Sequence, residues 1–503
     1  MSKNIAALPK SLIIFSVCIP LALMVGYFLA TPNEMMSFGI VGTVLVLLCI
    51  PLLLRWHYPA LIFGWNANIA VFFLPGQPAL WMLLAGVSLF LTVLACVMDK
   101  QIRFQNVPSI TWPLVFFTSV VFVTGKLTGG IGLHVLGSGM YGGKKLVFIV
   151  ASIIGYYALS AQRISAGRAE RYTGLFFLSA ITAVVSNLVY LAGPAFYVLY
   201  LFFPVDNAMS QAYEDFATIG AGARFTRLPG VSAAAMAVFY YALSRYGLRG
   251  LLDLAKPWRF VLLLACFAFS LLGGFRSALI IFALICAAQF CFEGLFRTRI
   301  FWALILCTVL GGAFLAVFAT KLPLSVQRSL TVLPIEVDPA ARADALASWE
   351  WRVDMWQILL PQVRQYFFIG KGYAINPTDL YLAEESTRRG LTRDFENSMI
   401  AGDYHSGPLS VIIPFGIFGL VGFVWVLLAG LRVLYRNYRY SEPALRNTNT
   451  FLLSYFVARF VFYFGGFGAL SSDLAIFLGV MGLSIALNGG VRAGELLPEN
   501  VAD

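Results

Sequence analysis

The chain has 503 residues, of which 60% are hydrophobic and 12% are charged, and its formal net charge at pH 7 is +11. Soluble globular proteins carry about 25% charged residues, so this composition excludes that class. A helix that crosses a bilayer needs about 20 mostly apolar residues, and windows of that kind recur along almost the whole chain. The sequence therefore predicts an all-α polytopic membrane protein.

The apolar windows predict about fourteen transmembrane helices. They are continuous runs and do not alternate as the strands of a membrane barrel would. The segment 59–75 is short and contains Asn66 and Asn68, so it could be re-entrant, and 172–203 is long enough to be kinked at Pro194. In chain order the predicted spans are 11–30, 36–54, 59–75, 79–97, 109–126, 146–162, 172–203, 230–246, 259–274, 276–295, 300–319, 408–434, 449–468 and 471–488.

The basic residues predict the orientation of the chain. Lysines and arginines are concentrated in the short segments on one side of this topology, which is typical of cytoplasmic loops. The positive charge therefore reflects topology, no nucleic-acid partner is expected, and both termini are placed in the cytoplasm. The predicted domains are a transmembrane bundle of about eleven helices over 1–319, an extracytoplasmic helical loop over 320–406, C-terminal transmembrane helices over 407–490 and a cytoplasmic tail over 491–503.

The N-terminus, the cysteines and the histidines limit the chemistry further. The first apolar run is long for a removable signal peptide, and no clear cleavage site follows it. All seven cysteines fall within predicted spans, so neither a disulfide framework nor a thiolate metal site is expected. The three histidines, His57, His134 and His405, are too few and too scattered for a histidine metal cluster. We expect neither a metal nor another cofactor.

Two predicted outer segments contain residues suited to an anionic ligand. The segment 126–145 is rich in glycine, which allows close approach of the backbone to a ligand, and ends in Lys144 and Lys145. It could equally be a flexible loop with interfacial lysines. The segment 204–229 ends with Arg224 and Arg227, whose guanidinium groups suit phosphate oxygens. Either arginine alone could instead extend to the lipid headgroups.

The segment 320–406 is the longest polar stretch of the chain. Asp338 followed by Pro339 is typical of a helix start, and the predicted helix stops at Pro361. Its amphipathic pattern predicts that it lies on the membrane or packs on the ends of the spans. A second, short helix is predicted over 377–389. The segment ends at His405, directly before the next apolar run.

Arg276, Arg352 and His405 form a set that fits glycosyl transfer from a lipid diphosphate. Arginines at the headgroup level would bind the diphosphate and stabilise the negative charge that grows as the sugar–phosphate bond breaks. An imidazole, with an unperturbed pKa of about 6.5, suits the removal of a proton from the acceptor hydroxyl. A single histidine near a membrane interface more often has a structural role, so composition alone does not decide this point.

Four motifs within 220–435 resemble one family in their order and topology. They are GGFRSALI around Arg276, WRVDMW around Arg352, HSGPLSVIIPFGIFG from His405 onwards, and RFTRLPGVSAAAMA before a middle span. These motifs are similar to those of the O-antigen ligase and polymerase superfamily of bacterial membrane glycosyltransferases. The N-terminal third of the chain matches only as a generic set of spans. The chain has Ser406 where asparagine is usual in the family.

The resemblance implies an enzyme of the inner membrane with a type C glycosyltransferase-like (GT-C-like) fold and a helical periplasmic loop. His405 would be the catalytic base, and Arg276 and Arg352 would hold the undecaprenyl diphosphate of the glycan donor. Arg224 and Arg227 would be further binding residues. The reaction would be metal-independent and inverting, with membrane lipids around the protein. The acceptor would be a glycan or a lipid, as in a polymerase or a ligase, and a chain-length regulator could be a partner.

Two other functions remain open from the sequence. A transporter or flippase of lipid-linked oligosaccharides would also be polytopic, although such proteins often show internal repeats, which we do not find here. A metal-dependent glycosyltransferase could use Asp394, Glu396 or Asp403 as ligands. These acidic residues also suit a solvated approach to the next span.

Overall fold

A computed structural model describes residues 54–98 except 75, 104–131, 142–205, 227–376 and 395–492, with scattered residues elsewhere. These residues form helices joined by turns, without a β-strand among them. Their bounds are α1 Leu80–Met98, α2 Pro108–Leu127, α3 Gly143–Ser160, α4 Ala166–Leu178, α5 Val184–Ala192, α6 Pro229–Leu251, α7 Pro257–Ser270, α8 Arg276–Phe292, α9 Arg299–Phe318, α10 Leu324–Leu330, α11 Pro339–Gln365, α12 Phe395–Ile400, α13 Gly407–Arg439, α14 Arg446–Gly465 and α15 Leu470–Asn488.

The all-helical membrane class predicted from composition is confirmed. Seven of the described helices are long and apolar enough to cross a membrane, with α4 and α5 counted as one through the 3₁₀ turn between them. Two shorter apolar helices occupy Pro257–Gly273 and Arg276–Phe292. The count of fourteen is not confirmed, and the predicted spans 11–30 and 36–54 fall almost entirely outside the described residues.

Three predicted boundaries differ from the structure. The segment 59–75 is helical only to residue 64, because Asn66 and the backbone of Asn68 bond instead to Phe176 and Thr182. The long span at 172–203 starts earlier, at α4, and breaks at Gly193, one residue before the predicted kink. The helix α11 does not stop at Pro361 but continues to Gln365, four residues later.

The continuation of α11 through proline has a packing reason. Proline removes one helical hydrogen bond and costs about 3 kcal/mol in a helix interior. Leu359 is fully buried just before the proline, and Val363 and Tyr366 after it pack on the same apolar cluster. Contacts made on both sides of Pro361 therefore favour continuing the helix over ending it.

The core of the bundle lies around α15. This helix packs on α3 and α13, and most of its side chains are buried. α13 also packs along α2 and α14, while α14 packs on α6 and α8. By contrast, none of the residues of α9 is buried, which places this apolar helix at the periphery, facing lipid.

The segments α10, α11 and 401–406 lie at one end of the bundle, which we call the loop end. These segments, and the chain that joins them, contact the ends of five helices. The contacts are with the starts of α3, α6, α8 and α13 and with the last turn of α2. A small apolar cluster beneath them includes Met355, Leu359, Tyr404 and Ile413. The loop segment is therefore packed on the helix ends.

The chain after α11 enters the bundle as a re-entrant turn, residues 366–373. It lies between α2 and α13, where α13 is broken at Gly416 (φ 63°). The amide of Ile417 donates to the carbonyl of Phe367 (2.6 Å), and the hydroxyl of Thr124 donates to that of Ile369 (3.1 Å). The turn thus satisfies backbone groups that the break in α13 leaves without helical partners, as a membrane interior requires.

Substitution of Gly370 tests the fit of the re-entrant turn. Gly370 has φ +84°, and an added Cβ would lie 2.3 Å from the carbonyl oxygen of Pro414. Left-handed backbone costs a non-glycine residue roughly 1–2 kcal/mol before that clash is counted. We expect Gly370→Ala to lower the thermal unfolding midpoint in detergent. Gly312→Ala on α9 is the control, because an added Cβ there meets no other atom. Equal unfolding midpoints for the two variants would contradict the close approach of Gly370 to Pro414.

Candidate active site

His405 lies in a tight turn that backbone hydrogen bonds of the preceding residues stabilise. It has φ 49°, and Gly402 has φ +74°. The amide of Gly402 donates to Met399 (3.0 Å), and that of Asp403 donates to Ser398 (2.8 Å). Positive φ is uncommon for residues other than glycine, and histidine, asparagine and aspartate tolerate it best. Such strained conformations cluster at functional sites, because surrounding structure must maintain them.

The imidazole of His405 lies between two aromatic rings. Its ring centroid is 5.0 Å from that of Trp351 on α11 and 5.1 Å from that of Phe467, in the turn between α14 and α15. Nδ1 is buried and has no hydrogen-bond partner among the described residues. Packing against these two rings therefore orients the imidazole.

Burial and neighbouring charges lower the pKa of His405 to about 4. Burial contributes most, because it disfavours the charged imidazolium. The positive charges of Arg352 and Lys145 lower the pKa further, and Asp403 opposes them. At neutral pH the ring is thus uncharged and able to accept a proton.

Arg352 and Arg276 lie close enough to influence one another. The guanidinium of Arg352 lies over the ring of Phe467, 5.8 Å from its centroid, on the same residue that contacts His405. Burial lowers the pKa of Arg352, and the charges of Arg276 and Arg328 lower it further. The structure thus brings His405 and Arg352 together on Phe467, and Arg276, at the start of α8, is near enough for its charge to act on Arg352.

An ion-pair node next to these arginines was not predicted. Asp344 on α11 accepts hydrogen bonds from Arg328 on α10 and, at 3.3 Å, from Arg227 before α6. Arg328 also donates to the carbonyl of Gly274, two residues before Arg276. Arg227, predicted to bind substrate, therefore contributes to this node. A signal existed in the sequence, since Asp344 lies beside the alanines 341 and 345, which form a buried small-residue face of α11.

Asp344→Asn is expected to loosen the loop end of the bundle. Breaking a buried ion pair costs about 3–5 kcal/mol, and the lower end applies because the Asp344 side chain keeps 32% exposure. We expect faster cleavage by the glutamate-specific protease Glu-C after Glu336, the exposed residue between α10 and α11, in membranes. Asp354→Asn, at an exposed position of the same helix, is the control. Equal cleavage of the two variants would show that the node does not hold the loop.

The remaining predicted site residues occupy different positions. Lys145, in the first turn of α3, donates to the carboxylate of Asp403 at 2.6 Å and lies over the ring of Tyr373 at 5.5 Å. It therefore holds the turn that carries His405. Lys144 is exposed beside it. Arg224 lies outside the described residues.

The residues after His405 hold the start of α13 against α14. The hydroxyl of Tyr463 donates to the carbonyl of Gly407 (2.9 Å), and a Cβ on this glycine would lie 2.1 Å from the carbonyl oxygen of Tyr463. Ser406 is the residue before the helix, but its side chain makes no capping hydrogen bond. Its hydroxyl is therefore not required for the helix start.

One family model matches the part of the chain that contains most of these residues. Residues 260–424, about a third of the chain, match the family model described as O-antigen ligase. The matched segment includes Arg276, Arg328, Arg352 and His405. No curated protein matches the chain. The family match supports a relationship of residues 260–424 to the O-antigen ligase and polymerase superfamily, and together with the apolar helices it points to a multi-pass bacterial membrane protein.

Proposed function

We propose that the protein transfers a glycan from an undecaprenyl-diphosphate carrier to an acceptor hydroxyl at the periplasmic face of the inner membrane. The observation that supports this most is the neutral imidazole of His405, held beside Arg352 on a shared aromatic residue, Phe467. A base and an anion-binding group so close together are what glycosyl transfer from a diphosphate requires.

The arginines would bind the diphosphate of the donor. The charges that shift the pKa of Arg352 are the two positive ones of Arg276 and Arg328, with no carboxylate among them. Positive charges that repel one another in a half-buried site favour the binding of an anion. Arg276 and Arg352 are the binding groups, and the Asp344 node holds Arg328 and Arg227 behind them.

The transfer step follows from this arrangement. The acceptor oxygen attacks the anomeric carbon, the bond from that carbon to the phosphate oxygen breaks, and its electron pair leaves with the diphosphate. The proton of the acceptor hydroxyl passes to His405. Because Nδ1 is buried, Nε2 is the ring nitrogen that an acceptor can reach. The arginines stabilise the negative charge that grows on the diphosphate, and attack opposite the leaving group inverts the anomeric carbon.

The assignment of His405 as the base predicts how kcat/KM falls at acidic pH. His405 must be neutral to accept a proton, so kcat/KM should be flat near neutral pH and fall with an apparent pKa of about 4 in the free enzyme. Arg352 and Lys145 lower the pKa of His405, so Lys145→Met should move this limb to higher pH, and Asp403→Asn should move it to lower pH. Rates between pH 3.5 and 8 check this. If the apparent pKa of the acid limb is the same in both variants as in the wild type, His405 is excluded as the titrating group.

The membrane arrangement is part of the proposal. We place the loop end in the periplasm and both termini in the cytoplasm, with 1–319 and 407–490 as transmembrane parts, 320–406 as the periplasmic loop and 491–503 as the tail. The fold would be of the GT-C type with about fourteen spans. Cysteines introduced singly at exposed positions of the loop end should react with a membrane-impermeant maleimide in intact cells. Protection at all of them would contradict this orientation.

Reconstitution tests the function directly. The purified protein in liposomes is supplied with a synthetic undecaprenyl-diphosphate oligosaccharide and either a second copy of it or a lipid A–core acceptor. Extension of the repeat indicates a polymerase, and attachment to the lipid core indicates a ligase. Movement of the glycan across the bilayer without bond exchange would support a flippase instead. Activity that disappears with EDTA and returns with Mg²⁺ would support the metal-dependent alternative.

A further inference from the structure

Arg459 and Asp473 are charged side chains inside the helix bundle that the transfer step does not use. Arg459 lies on α14, and Asp473 lies in the first turn of α15, where it keeps 8% exposure. They are near enough for their charges to act on one another. Arg459 also lies over the ring of Tyr455, 5.4 Å from its centroid. Charged groups within a membrane are costly, so they are usually retained for a function.

Asp473 holds both backbone groups of Ala469, the residue before α15. Its carboxylate accepts a hydrogen bond from the amide of Ala469 (2.9 Å), and its own amide donates to the carbonyl of Ala469 (3.0 Å). The first amides of a helix lack helical partners, and a carboxylate in the first turn also interacts favourably with the positive end of the helix dipole. Asp473 therefore fixes where the turn between α14 and α15 ends.

This turn, residues 466–469, is packed on the start of α13. The amide of Leu470, directly after the turn, donates to the hydroxyl of Ser410 (3.0 Å). An added Cβ on Gly468 would lie 2.9 Å from the Cα of Gly407. Gly407 follows His405 by two residues, so a shift of the turn would also change its fit against the segment that carries the imidazole.

The same turn carries Phe467, on whose ring His405 and Arg352 meet. The amide of Phe467 donates to the carbonyl of Phe462 (3.1 Å), which ties the turn to α14. Asp473 ties the other end of the turn to α15. A turn fixed at both ends gives the ring one position, and a ring in one position holds the imidazole and the guanidinium in one arrangement.

Resting on the function proposed above, we infer that Asp473 is a positioning residue for glycan transfer. It acts through the turn that carries Phe467, and Arg459 balances its charge within the bundle. A misplacement of about 1 Å that arises far from the reacting atoms can lower a rate by about 100-fold. Asp473 would therefore influence kcat through His405 and the KM of the donor through Arg352.

Two double variants separate the hydrogen-bond acceptor at position 473 from its charge. Asp473→Asn/Arg459→Gln removes both charges and keeps an oxygen that can accept from Ala469, whereas Asp473→Ala/Arg459→Gln removes the acceptor as well. The alanine variant should lower kcat/KM for the donor by about 10- to 100-fold, with changes in both kcat and KM. The asparagine variant should retain most of the activity. Equal rates in the two variants would contradict the inference.

The pH profile distinguishes positioning from a loss of folded protein. Without Phe467 against it the imidazole of His405 is less buried, so its pKa rises from about 4 toward the ordinary value, and the acid limb moves to higher pH. Arg352, Lys145 and Asp403, whose charges act on the ring, are the same in both double variants. A smaller amount of folded protein lowers the rate by one factor at every pH. An acid limb at the wild-type position in the alanine variant would therefore overturn the inference.

A histidine titration by NMR measures the same pKa without a transfer reaction. The chain has three histidines, so protein with isotope-labelled histidine gives three sets of ring signals, and His405→Asn assigns one of them. The His405 signal should titrate at higher pH in the alanine double variant than in the asparagine one, and the His57 signal should not change. If this difference is found but the wild-type protein transfers no glycan, the proposed function fails and the role of Asp473 in placing Phe467 stands. Transfer by the wild type with equal titrations in the two variants would reject the role of Asp473 alone.

Two single variants complete the test. Phe467→Leu removes the ring and keeps the turn, so it should give the same rise in the pKa of His405, and it can be measured even if the alanine double variant does not fold. Ser472→Ala is the matched control, because its exposed hydroxyl donates to the carbonyl of Ala469 (3.2 Å), which the amide of Asp473 also satisfies. An unchanged acid limb in Phe467→Leu would contradict the inference. So would a loss of activity in Ser472→Ala as large as that of the alanine double variant.

Discussion

Replacement of His405 by asparagine is expected to lower kcat by about 10²- to 10⁴-fold, the usual contribution of a general base. Asparagine tolerates the positive φ of this position, so the turn and the thermal unfolding midpoint should be preserved. Donor binding should also be preserved, because the arginines remain. The measurements are single-turnover transfer in liposomes and titration with the unreactive carrier diphosphate.

A matched control uses a second histidine of the chain. His57 bonds to Ser88 at 2.9 Å, and its neighbour Tyr58 bonds to the carbonyl of Leu159, near the end of α3 opposite to Lys145. His57→Asn should therefore leave transfer unchanged. His405→Ala is less informative, because alanine is strained at positive φ and could unfold the turn. Full activity of His405→Asn would exclude the proposed base and favour transport or another base.

Neutralising the arginines is expected to have the second large effect. Arg276→Gln and Arg352→Gln should each lower kcat/KM by about 10²- to 10³-fold, as when a group that stabilises transition-state charge is removed. Both should weaken donor binding, since each removes a positive charge from the diphosphate site. Arg352→Gln should also raise the pKa of His405, because Arg352 lowers it, so the acid limb moves to higher pH. Initial rates against donor concentration and pH measure both effects.

The control for this prediction lies on the same helix as Arg352. Arg364 is exposed near the end of α11, and Arg364→Gln should leave donor affinity and the pH profile unchanged. Arg276→Lys keeps the charge and should restore part of the activity lost in Arg276→Gln. Donor binding at wild-type strength in both glutamine variants would refute a diphosphate site at these residues.

Much of the helical framework follows from local features of the sequence. The starts of α2, α6, α7 and α11 coincide with prolines at the first helical position, where the missing amide costs nothing. The break after Ala192 comes at Gly193, which has φ +92° and precedes Pro194. Pro361 shows the limit of this reasoning, because tertiary contacts of Leu359 and Tyr366 override a strong local signal.

The site could be predicted in part. His405 stands out in the sequence because it is an ionisable group at a polar–apolar boundary. Arg352 stands out because it lies in a distinctive motif. The sequence predicts Arg227 as a binding residue, and the structure pairs it with Asp344, 117 residues further along the chain. Phe467 carries no chemical signal of its own, yet it is the residue on which His405 and Arg352 meet.

The sequence by itself determined that this is a helical membrane protein with a polar segment ending at His405, because apolar run length and helix boundaries depend on neighbouring residues. Only the tertiary structure decided which guanidinium groups pair with a carboxylate, as those of Arg227 and Arg328 do with Asp344. It also decided that 366–373 enters the bundle, through contacts such as that of Thr124 with Ile369, 245 residues apart. Such contacts arise from the packing of distant segments, and no local pattern of apolar or charged residues records them.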